Sequence, residues 1–84
     1  MRERNLEVQI TVYICNNIIN ERNKDDFFEL IESVSGVFED NCVVIEEIIT
    51  TEESHSELSE IYYKDFKRRF LDYYCDITIS ISRI

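Results

Sequence analysis

Residues 57–83 read ELSEIYYKDFKRRFLDYYCDITISISR, and this stretch decides the fold. Its first part repeats apolar residues at the helical spacing of 3.6, at Leu58, Tyr62, Phe66, Phe70 and Tyr73. Its last part alternates apolar and polar residues, with isoleucines at every second position. We therefore predict a helix from about Glu57 to Cys75 that leads directly into a strand, Asp76 to Arg83. The upstream chain must cover this helix and pair with this strand.

A second strand is predicted near the N-terminus. Alternating polar residues separate the apolar residues Leu6, Val8, Ile10, Val12 and Ile14. This pattern is typical of a strand with one face on a core and the other partly in water. The alternation stops after Cys15, and Asn16 to Arg22 is predicted to be a connection.

The first helix is predicted to begin after Asn23, which would be its N-cap. Asp25 and Asp26 then lie in the first turn, where carboxylates interact favourably with free backbone N–H groups. Its apolar face consists of Phe27, Leu30, Ile31 and Val34. Gly36, the single glycine, follows the last of these and is expected to end the helix in a left-handed conformation.

The segment between the helices has two interpretations. Cys42 to Thr51 is rich in β-branched residues and predicts a strand. In the first interpretation it is a single inner strand, which gives the order βαβαβ. In the second, Val37 and Phe38 begin an extra strand that turns through Glu39, Asp40 and Asn41, which gives the ferredoxin-like order βαββαβ.

Both interpretations predict one α+β domain, residues 1–84. Two helices pack on one face of a three- or four-stranded sheet, with the N- and C-terminal strands as neighbours in its middle. The core should contain Phe27, Ile31, Phe66 and Phe70, the large apolar residues of the two helices. Ser54 with Glu57, or Ser56 itself, is available to cap the second helix.

The charge of the chain favours a basic partner. Eighteen acidic and nine basic residues give a formal charge of −9, which opposes direct binding to nucleic acid. The N-terminus has no apolar run long enough for a signal peptide, and no stretch is apolar for the 18 or so residues that span a membrane. We expect a cytoplasmic protein that does not bind membranes.

The cysteines and the histidine are the candidates for chemistry. Cys15, Cys42 and Cys75 are an odd set without close spacing, which favours reduced thiols over a disulfide framework. With His55 they match the ligand count of a Cys₃His zinc site, and His55 could instead act as a base beside a cysteine. No closely spaced cysteine pair supports a metal site. We predict structural thiols, a solvated histidine, no metal or cofactor, and no enzymatic activity.

The acidic residues concentrate in one segment of the chain. Eight carboxylates occur there without a lysine or arginine among them: Glu39, Asp40, Glu46, Glu47, Glu52, Glu53, Glu57 and Glu60. Adjacent glutamates in a strand face opposite sides, so Glu46 and Glu47 cannot form a carboxylate dyad. Two interpretations remain: a surface that binds a basic partner, or a solvated edge that resists aggregation.

The long helix has a second apolar side. Ile61 and Leu71 lie off its core stripe, with Tyr63 and Tyr74 on the flank. A helix that is apolar over most of its circumference indicates a second contact surface. These four residues are the predicted site of self-association in a possible homodimer.

The final helix and the DITISIS strand, residues 76–82, resemble the end of the barstar family of ribonuclease inhibitors, acidic proteins that block a basic active site. The Tyr-Gly-x-Asn stretch and the following helix that such inhibitors present are absent, so no residue role is carried over. The frequent Ile, Asn, Lys and Glu are typical of AT-rich genomes, including those of many bacteria, phages and plasmids.

We predict a small acidic binding protein, an inhibitor or anti-defence protein of a phage or mobile element. It would present carboxylates to the basic, nucleic-acid-binding site of a target protein. The alternatives are a homodimeric structural or assembly module, or an immunity or antitoxin-type inhibitor.

Overall fold

A computed structural model describes residues 2–84, which form six elements in the order βαββαβ. The helices are α1 (Lys24–Ser33) and α2 (His55–Arg69). The strands are β1 (Arg4–Ile14), β2 (Val37–Glu39), β3 (Cys42–Thr51) and β4 (Tyr74–Arg83). Every strand pairs antiparallel with its neighbours in the order β2-β3-β1-β4, so the fold is α+β with an open four-stranded sheet.

The helices cover one face of the sheet. Alternate residues of β1, from Leu6 to Ile14, are at most 2% exposed, and they share a core with Phe27 and Ile31 of α1 and Phe66 of α2. We call this the covered face. The opposite, open face carries Glu7, Gln9 and their neighbours, which are exposed. The alternation predicted for the N-terminal strand is therefore confirmed.

The predicted core is confirmed as well. Phe27 and Phe70 are fully buried, and Phe66 and Ile31 are nearly so. The rings of Phe66 and Phe70 stack with their centroids 6.3 Å apart. Phe27 and Tyr73 make an edge-to-face contact with their ring centroids 5.1 Å apart. Stacked and edge-to-face contacts of this kind add to the free energy gained from apolar burial.

The extra strand of the second interpretation is present. β2 pairs with the start of β3 through a two-residue turn, Asp40-Asn41, in which both residues have positive φ, 51° and 61°. Two consecutive left-handed residues suit the twist of a tight hairpin, and aspartate and asparagine tolerate that conformation. The three-stranded βαβαβ alternative is therefore wrong.

The position predicted for the C-terminal strand is only partly right. β4 pairs with β1, as expected, but it lies at the edge of the sheet because β3 occupies the other side of β1. Only the N-terminal strand is central. Within residues 2–84, no strand pairs with the outer edge of β4.

The long helix ends earlier than predicted. α2 stops at Arg69, and the N–H groups of Tyr73 and Tyr74 both donate to the carbonyl of Phe70 in a turn. Tyr73 then packs in the core and Tyr74 already pairs with Ile14. The apolar pattern in the sequence extends to Tyr73, beyond the end of the helix, because the turn also directs the Tyr73 ring toward the core.

The N-terminal caps of the two helices differ in how well the local sequence predicted them. Of the two caps predicted for α2, the structure uses Ser54, whose hydroxyl accepts the N–H of Glu57 at 3.2 Å. Asn23 occupies the N-cap of α1 but makes no cap hydrogen bond, because its side chain instead accepts the N–H of Asn20.

Gly36 does not adopt the predicted left-handed conformation. Ser35 takes that role with φ 54°, and the N–H of Gly36 donates to the carbonyl of Ile31, as in a Schellman motif. Glycine is needed for a different reason: a Cβ at position 36 would lie 2.8 Å from Cγ1 of Val43. The helix end approaches β3 too closely for a side chain.

Candidate protein-binding surface

The eight carboxylates of the acidic segment do not form one cluster. Glu39 and Asp40 lie at the β2–β3 turn, Glu46 and Glu47 lie on β3, and the other four lie in the loop after β3 and on α2. The ten residues of β3 separate Glu39 and Asp40 from Glu52 and Glu53 by about 30 Å. A single small ligand cannot contact them all.

Three of these carboxylates already interact within the chain. The hydroxyl of Tyr62 donates to Glu47 at 2.9 Å, and the ammonium of Lys64 lies 2.8 Å from Glu60. The hydrogen bond from Lys64 lowers the pKa of the Glu60 carboxyl. The Ser54 hydroxyl donates to Glu57 at 3.1 Å as part of the helix cap. Local structure therefore explains these three residues without a partner.

Glu46 differs from this group because it lies on the open face. It pairs with Gln9, whereas Glu47, one residue later, points to the side of α2. The predicted opposition of the two glutamates is confirmed. Among residues 2–84, no hydrogen bond or ion pair engages the carboxylate of Glu46 or that of Glu7.

An exposed isoleucine lies beside these carboxylates. Ile48 is opposite Glu7 in the register and is 72% exposed, the largest exposed fraction of any large apolar side chain in residues 2–84. Glu7, Glu46, Glu47 and Ile48 line one shallow depression, which we call the Ile48 surface. It combines an apolar centre with a rim of carboxylates.

The Ile48 surface is accessible because β2 is short. β2 pairs only with Cys42 to Val44, so the outer edge of β3 is unpaired from Ile45 onward within the described residues. Carboxylates on both sides of β3 can therefore be approached from this edge. Charged side chains at an open edge also discourage strand-to-strand aggregation.

A polar cleft of about 380 Å³ borders the Ile48 surface, between the end of α1, β3 and α2. Glu47 and Tyr62 form one wall, and Asp65 lies beside Arg69 in another. Partial burial, followed by the hydrogen bond to Glu47, raises the pKa of Tyr62 to about 12. Burial also raises the pKa of Asp65, but hydrogen bonds from Arg68 and Arg69 outweigh that effect, so the pKa is lowered.

The residues after β3 gain basic neighbours in space that the sequence does not show. Arg2 and Arg4 line a depression with Glu52, Ser54 and Glu57. The guanidinium of Arg4 also donates to the backbone carbonyl of Glu53. This part of the acidic segment is therefore less strongly negative than its sequence suggests.

The predicted self-association residues are mostly exposed. Ile61, Tyr63 and Leu71 are 53%, 39% and 64% exposed, and the ammonium of Lys67 lies 5.8 Å from the Tyr63 ring centroid. Tyr74 differs, because it is half-buried and packs against the core as the first residue of β4. Leu71 lies in the turn after α2, so these residues do not share one helix face.

The cysteines and the histidine lie at opposite ends of the sheet. Cys15 and Cys75 are neighbours across a bulge between β1 and β4, and partial burial followed by the Cys75 thiol raises the pKa of the Cys15 thiol. His55 begins α2, just beyond the far end of β3. Neither a Cys–His pair nor a Cys₃His set can form in this arrangement, and residues 2–84 contain no metal-compatible group of three such side chains.

Sequence spacing did not indicate that Cys15 and Cys75 are neighbours. Their proximity depends on the register of β1 with β4 and on the bulge, neither of which is visible in the sequence. The exposure of Ile48 was also missed, because its β-branched neighbours predict a strand covered on both faces.

Comparison with known proteins adds no assignment: no protein-family model matches the chain, and no curated protein or solved structure is significantly similar to it. In residues 2–84, neither helix has the length and apolar character needed to cross a membrane.

Proposed function

We propose that this chain is a non-enzymatic binding protein that presents carboxylates to a basic surface of another protein. The Ile48 surface carries the proposal. Specific interfaces commonly combine an apolar anchor with a polar rim, and a partner with complementary charge associates faster. Glu7 and Glu46 supply the negative rim, and Ile48 supplies the anchor.

The electrostatics of the whole chain support the same proposal. A formal charge of −9 accelerates the approach of a basic protein and repels nucleic acid. Glu39 and Asp40 at one end of β3, and Glu52 and Glu53 at the other, would extend the negative field along the strand. Glu47, Glu57 and Glu60 would contribute to that field while keeping their contacts within the chain.

The basic target that we favour is a nucleic-acid-binding site of a cytoplasmic protein. Such a site carries clustered lysines and arginines to bind phosphates, and carboxylates can occupy the same positions. An inhibitor or anti-defence protein of a phage or mobile element would act in this way, as would an immunity or antitoxin-type inhibitor.

We further propose that the domain has the ferredoxin-like arrangement. The element order βαββαβ and the central position of β1 between β3 and β4 support this assignment. It places Glu7, Glu46 and Ile48 on the uncovered face, opposite both helices.

Affinity capture from an extract of the source cells tests the function. The captured protein, identified by mass spectrometry and purified, is then bound to the parent and to E7K/E46K at low and high salt. We expect E7K/E46K to associate about tenfold more slowly at low salt, with the difference shrinking at high salt.

A matched control separates the Ile48 surface from net charge. E29K/E32K changes the formal charge by the same amount on exposed positions of α1. It should slow association much less than E7K/E46K. Equal slowing by both variants, or capture of no basic protein, would contradict the proposal.

A homodimeric structural or assembly module is the second candidate function. The exposed apolar side chains of Ile61, Tyr63 and Leu71 favour it, because a second copy could cover them. Replacing all three with serine should halve the mass measured by light scattering if α2 carries the self-contact.

A further inference from the structure

From Ile77 to Ser82, beyond the bulge at Cys75, the outer edge of β4 lacks the features that protect most sheet edges. β4 spans ten residues, and the chain contains no proline. From Ile77 to Ser82 the strand carries no charged residue. Natural edge strands are usually short, charged, bulged or interrupted by proline, and an edge without these features is a template for another strand.

The other edge of the sheet shows the contrast. β2 has only three residues, and beyond it β3 carries Glu46 and Glu47. The outermost strand on that side is too short to pair over a long stretch, and two charged residues interrupt the unpaired part of β3. β4 has six consecutive uncharged residues, Ile77 to Ser82, between Asp76 and Arg83, so the two edges differ in their capacity to pair.

The backbone groups that β4 directs outward can be assigned from its ladder with β1. The N–H of Ile84 donates to the carbonyl of Asn5 at 3.4 Å. Hydrogen-bonded positions alternate along an antiparallel pair, so even-numbered residues of β4 face β1. The N–H and C=O groups of Ile77, Ile79 and Ile81 therefore point away from the sheet.

We propose that β4 pairs antiparallel with β4 of a second copy, about a two-fold axis at Ile79. In this register Ile79 is opposite the second copy's Ile79, and Ile77 is opposite its Ile81. These residues are the ones with outward backbone groups, and they would form about six interchain hydrogen bonds. The two sheets would join into one continuous sheet with all helices on the same face.

The side chains of β4 match in this register, because apolar residues face apolar ones and hydroxyl residues face hydroxyl ones. Ile79 and Ile81 are only half-buried on the covered face, so a neighbouring strand would cover their remaining apolar area. On the open face Thr78 would meet the second copy's Ser80. Shifting the register by two residues in either direction loses one of the three isoleucine pairs. Shifted one way it places Arg83 opposite isoleucine, and shifted the other way it places Asp76 opposite Ser80.

A second copy is favoured over an unrelated strand because the match is self-complementary. When two identical antiparallel strands are related by a two-fold axis, the numbers of paired residues add up to the same value for every pair. With the axis at Ile79, one register pairs isoleucine with isoleucine on the covered face and Thr78 with Ser80 on the open face. No like charges face each other, since Asp76 would meet Ser82 and Arg83 would meet Cys75. β4 shares no residue with the Ile48 surface, so pairing through β4 can be tested independently of the proposed function.

Two charge variants test the pairing. In the proposed register residue 78 of each copy faces residue 80 of the other. T78K/S80K therefore places a lysine opposite a lysine in both of these pairs, whereas T78K/S80E places a lysine opposite a glutamate. Thr78 and Ser80 are exposed, so both variants should keep the fold, which circular dichroism checks. We expect the dimer dissociation constant from analytical ultracentrifugation to rise about tenfold in T78K/S80K and to match or fall below the parent value in T78K/S80E.

Cysteine cross-linking tests the register itself, in a background where Cys15, Cys42 and Cys75 are replaced by serine. Glutathione disulfide, as oxidant, should join T78C to S80C when the two variants are mixed, and neither variant should cross-link alone. This measurement remains decisive if a charge variant fails to fold.

The proposal is overturned if the parent is monomeric at concentrations on the order of 1 mM. Equal dissociation constants for the two charge variants would also overturn it. Cross-linking of I61C in the same background, without cross-linking of the mixed pair, would overturn it as well, since that would place the contact on α2.

Discussion

The two faces of the sheet are built from the same strands but follow different rules. On the covered face Val8, Ile10 and Val12 are completely buried and interlock with residues from both helices. On the open face their neighbours in β1 are Glu7, Gln9 and Thr11, which reach solvent. The covered face determines which fold is stable, and the open face leaves its residues available for contact with other molecules.

β3 shows the same contrast within one residue type. Ile45 and Ile48 are three residues apart on one strand, and their exposed fractions are 1% and 72%. An exposed isoleucine gains little from folding, whereas a buried one contributes about 1.5 to 3 kcal/mol. The stability of the isolated domain therefore does not explain why an isoleucine occupies position 48 on the open face.

The largest effect is expected on the covered side, at Phe66. Phe66→Ala should lower the free energy of unfolding by about 3 to 5 kcal/mol, because the residue is 4% exposed and stacks on Phe70. A domain of this size has little stability in reserve, so partial or complete unfolding is expected at room temperature. Chemical denaturation followed by circular dichroism measures the change.

Ile61→Ala on the same helix is the control for Phe66→Ala. Ile61 is 53% exposed, so its truncation should change the free energy of unfolding by at most about 0.5 kcal/mol. A Phe66→Ala variant that unfolds at the same denaturant concentration as the parent would contradict the packing of α2 described above.

The next effect is expected where α1 ends against the covered face, at Gly36. Gly36→Ala should destabilise the domain by about 1 to 3 kcal/mol, because its Cβ would press on the buried side chain of Val43. If this clash is the cause, Gly36→Ala should cost less in a Val43→Ala background, a coupling that a double-mutant cycle in chemical denaturation measures. Ser35→Gly, which removes the adjacent left-handed non-glycine residue, should not destabilise.

These two positions show what the sequence could predict. Periodicity identified the helices, the N- and C-terminal strands and the core phenylalanines, because burial on one face produces a pattern that repeats along the chain. It misassigned Gly36 and the end of α2, because those depend on how closely α1 approaches β3 and on where Tyr73 packs. Contacts between distant residues leave no periodic trace.

The candidate site was less predictable than the fold. The sequence indicated the acidic segment, but not that Glu47, Glu57 and Glu60 have partners of their own. Nor could it pair Glu7 with Ile48, which are far apart in sequence and meet only through the β1–β3 register. The position of β4 at an edge depends on the complete strand order, which local patterns do not specify.

A smaller effect is expected at Tyr62 of α2, whose hydroxyl donates to Glu47 on the covered side of β3. Its pKa of about 12 in the folded state exceeds its ordinary value of 10.0, so the folded state holds the phenol proton more tightly than the unfolded state does. The resulting stabilisation is complete below pH 10 and is lost as the pH rises from 10 toward 12. Between pH 10 and 12 the free energy of unfolding should therefore fall less in Tyr62→Phe than in the parent, which chemical denaturation at several pH values measures.

Absorbance titration of tyrosinate checks the same group directly. Glu47→Gln should lower the pKa of Tyr62, because it removes the negative charge beside the phenol, but burial should keep the pKa above its ordinary value. A titration unchanged by Glu47→Gln would show that the hydrogen bond between Tyr62 and Glu47 does not persist in solution.

The smallest effect is expected at Ile48, and it tests the comparison of the two faces most closely. Ile48→Thr should change the free energy of unfolding by less than about 0.5 kcal/mol, because the side chain is mostly exposed and threonine also suits a strand. Ile45→Thr, on the same strand, should cost several times more, because it leaves a buried hydroxyl in an apolar core. Both values come from chemical denaturation at several protein concentrations. If Ile48→Thr is as costly as Ile45→Thr, and more so at high concentration, another copy must cover the open face. In that case Ile48 would serve self-association, and the binding of a basic partner there would lose its anchor.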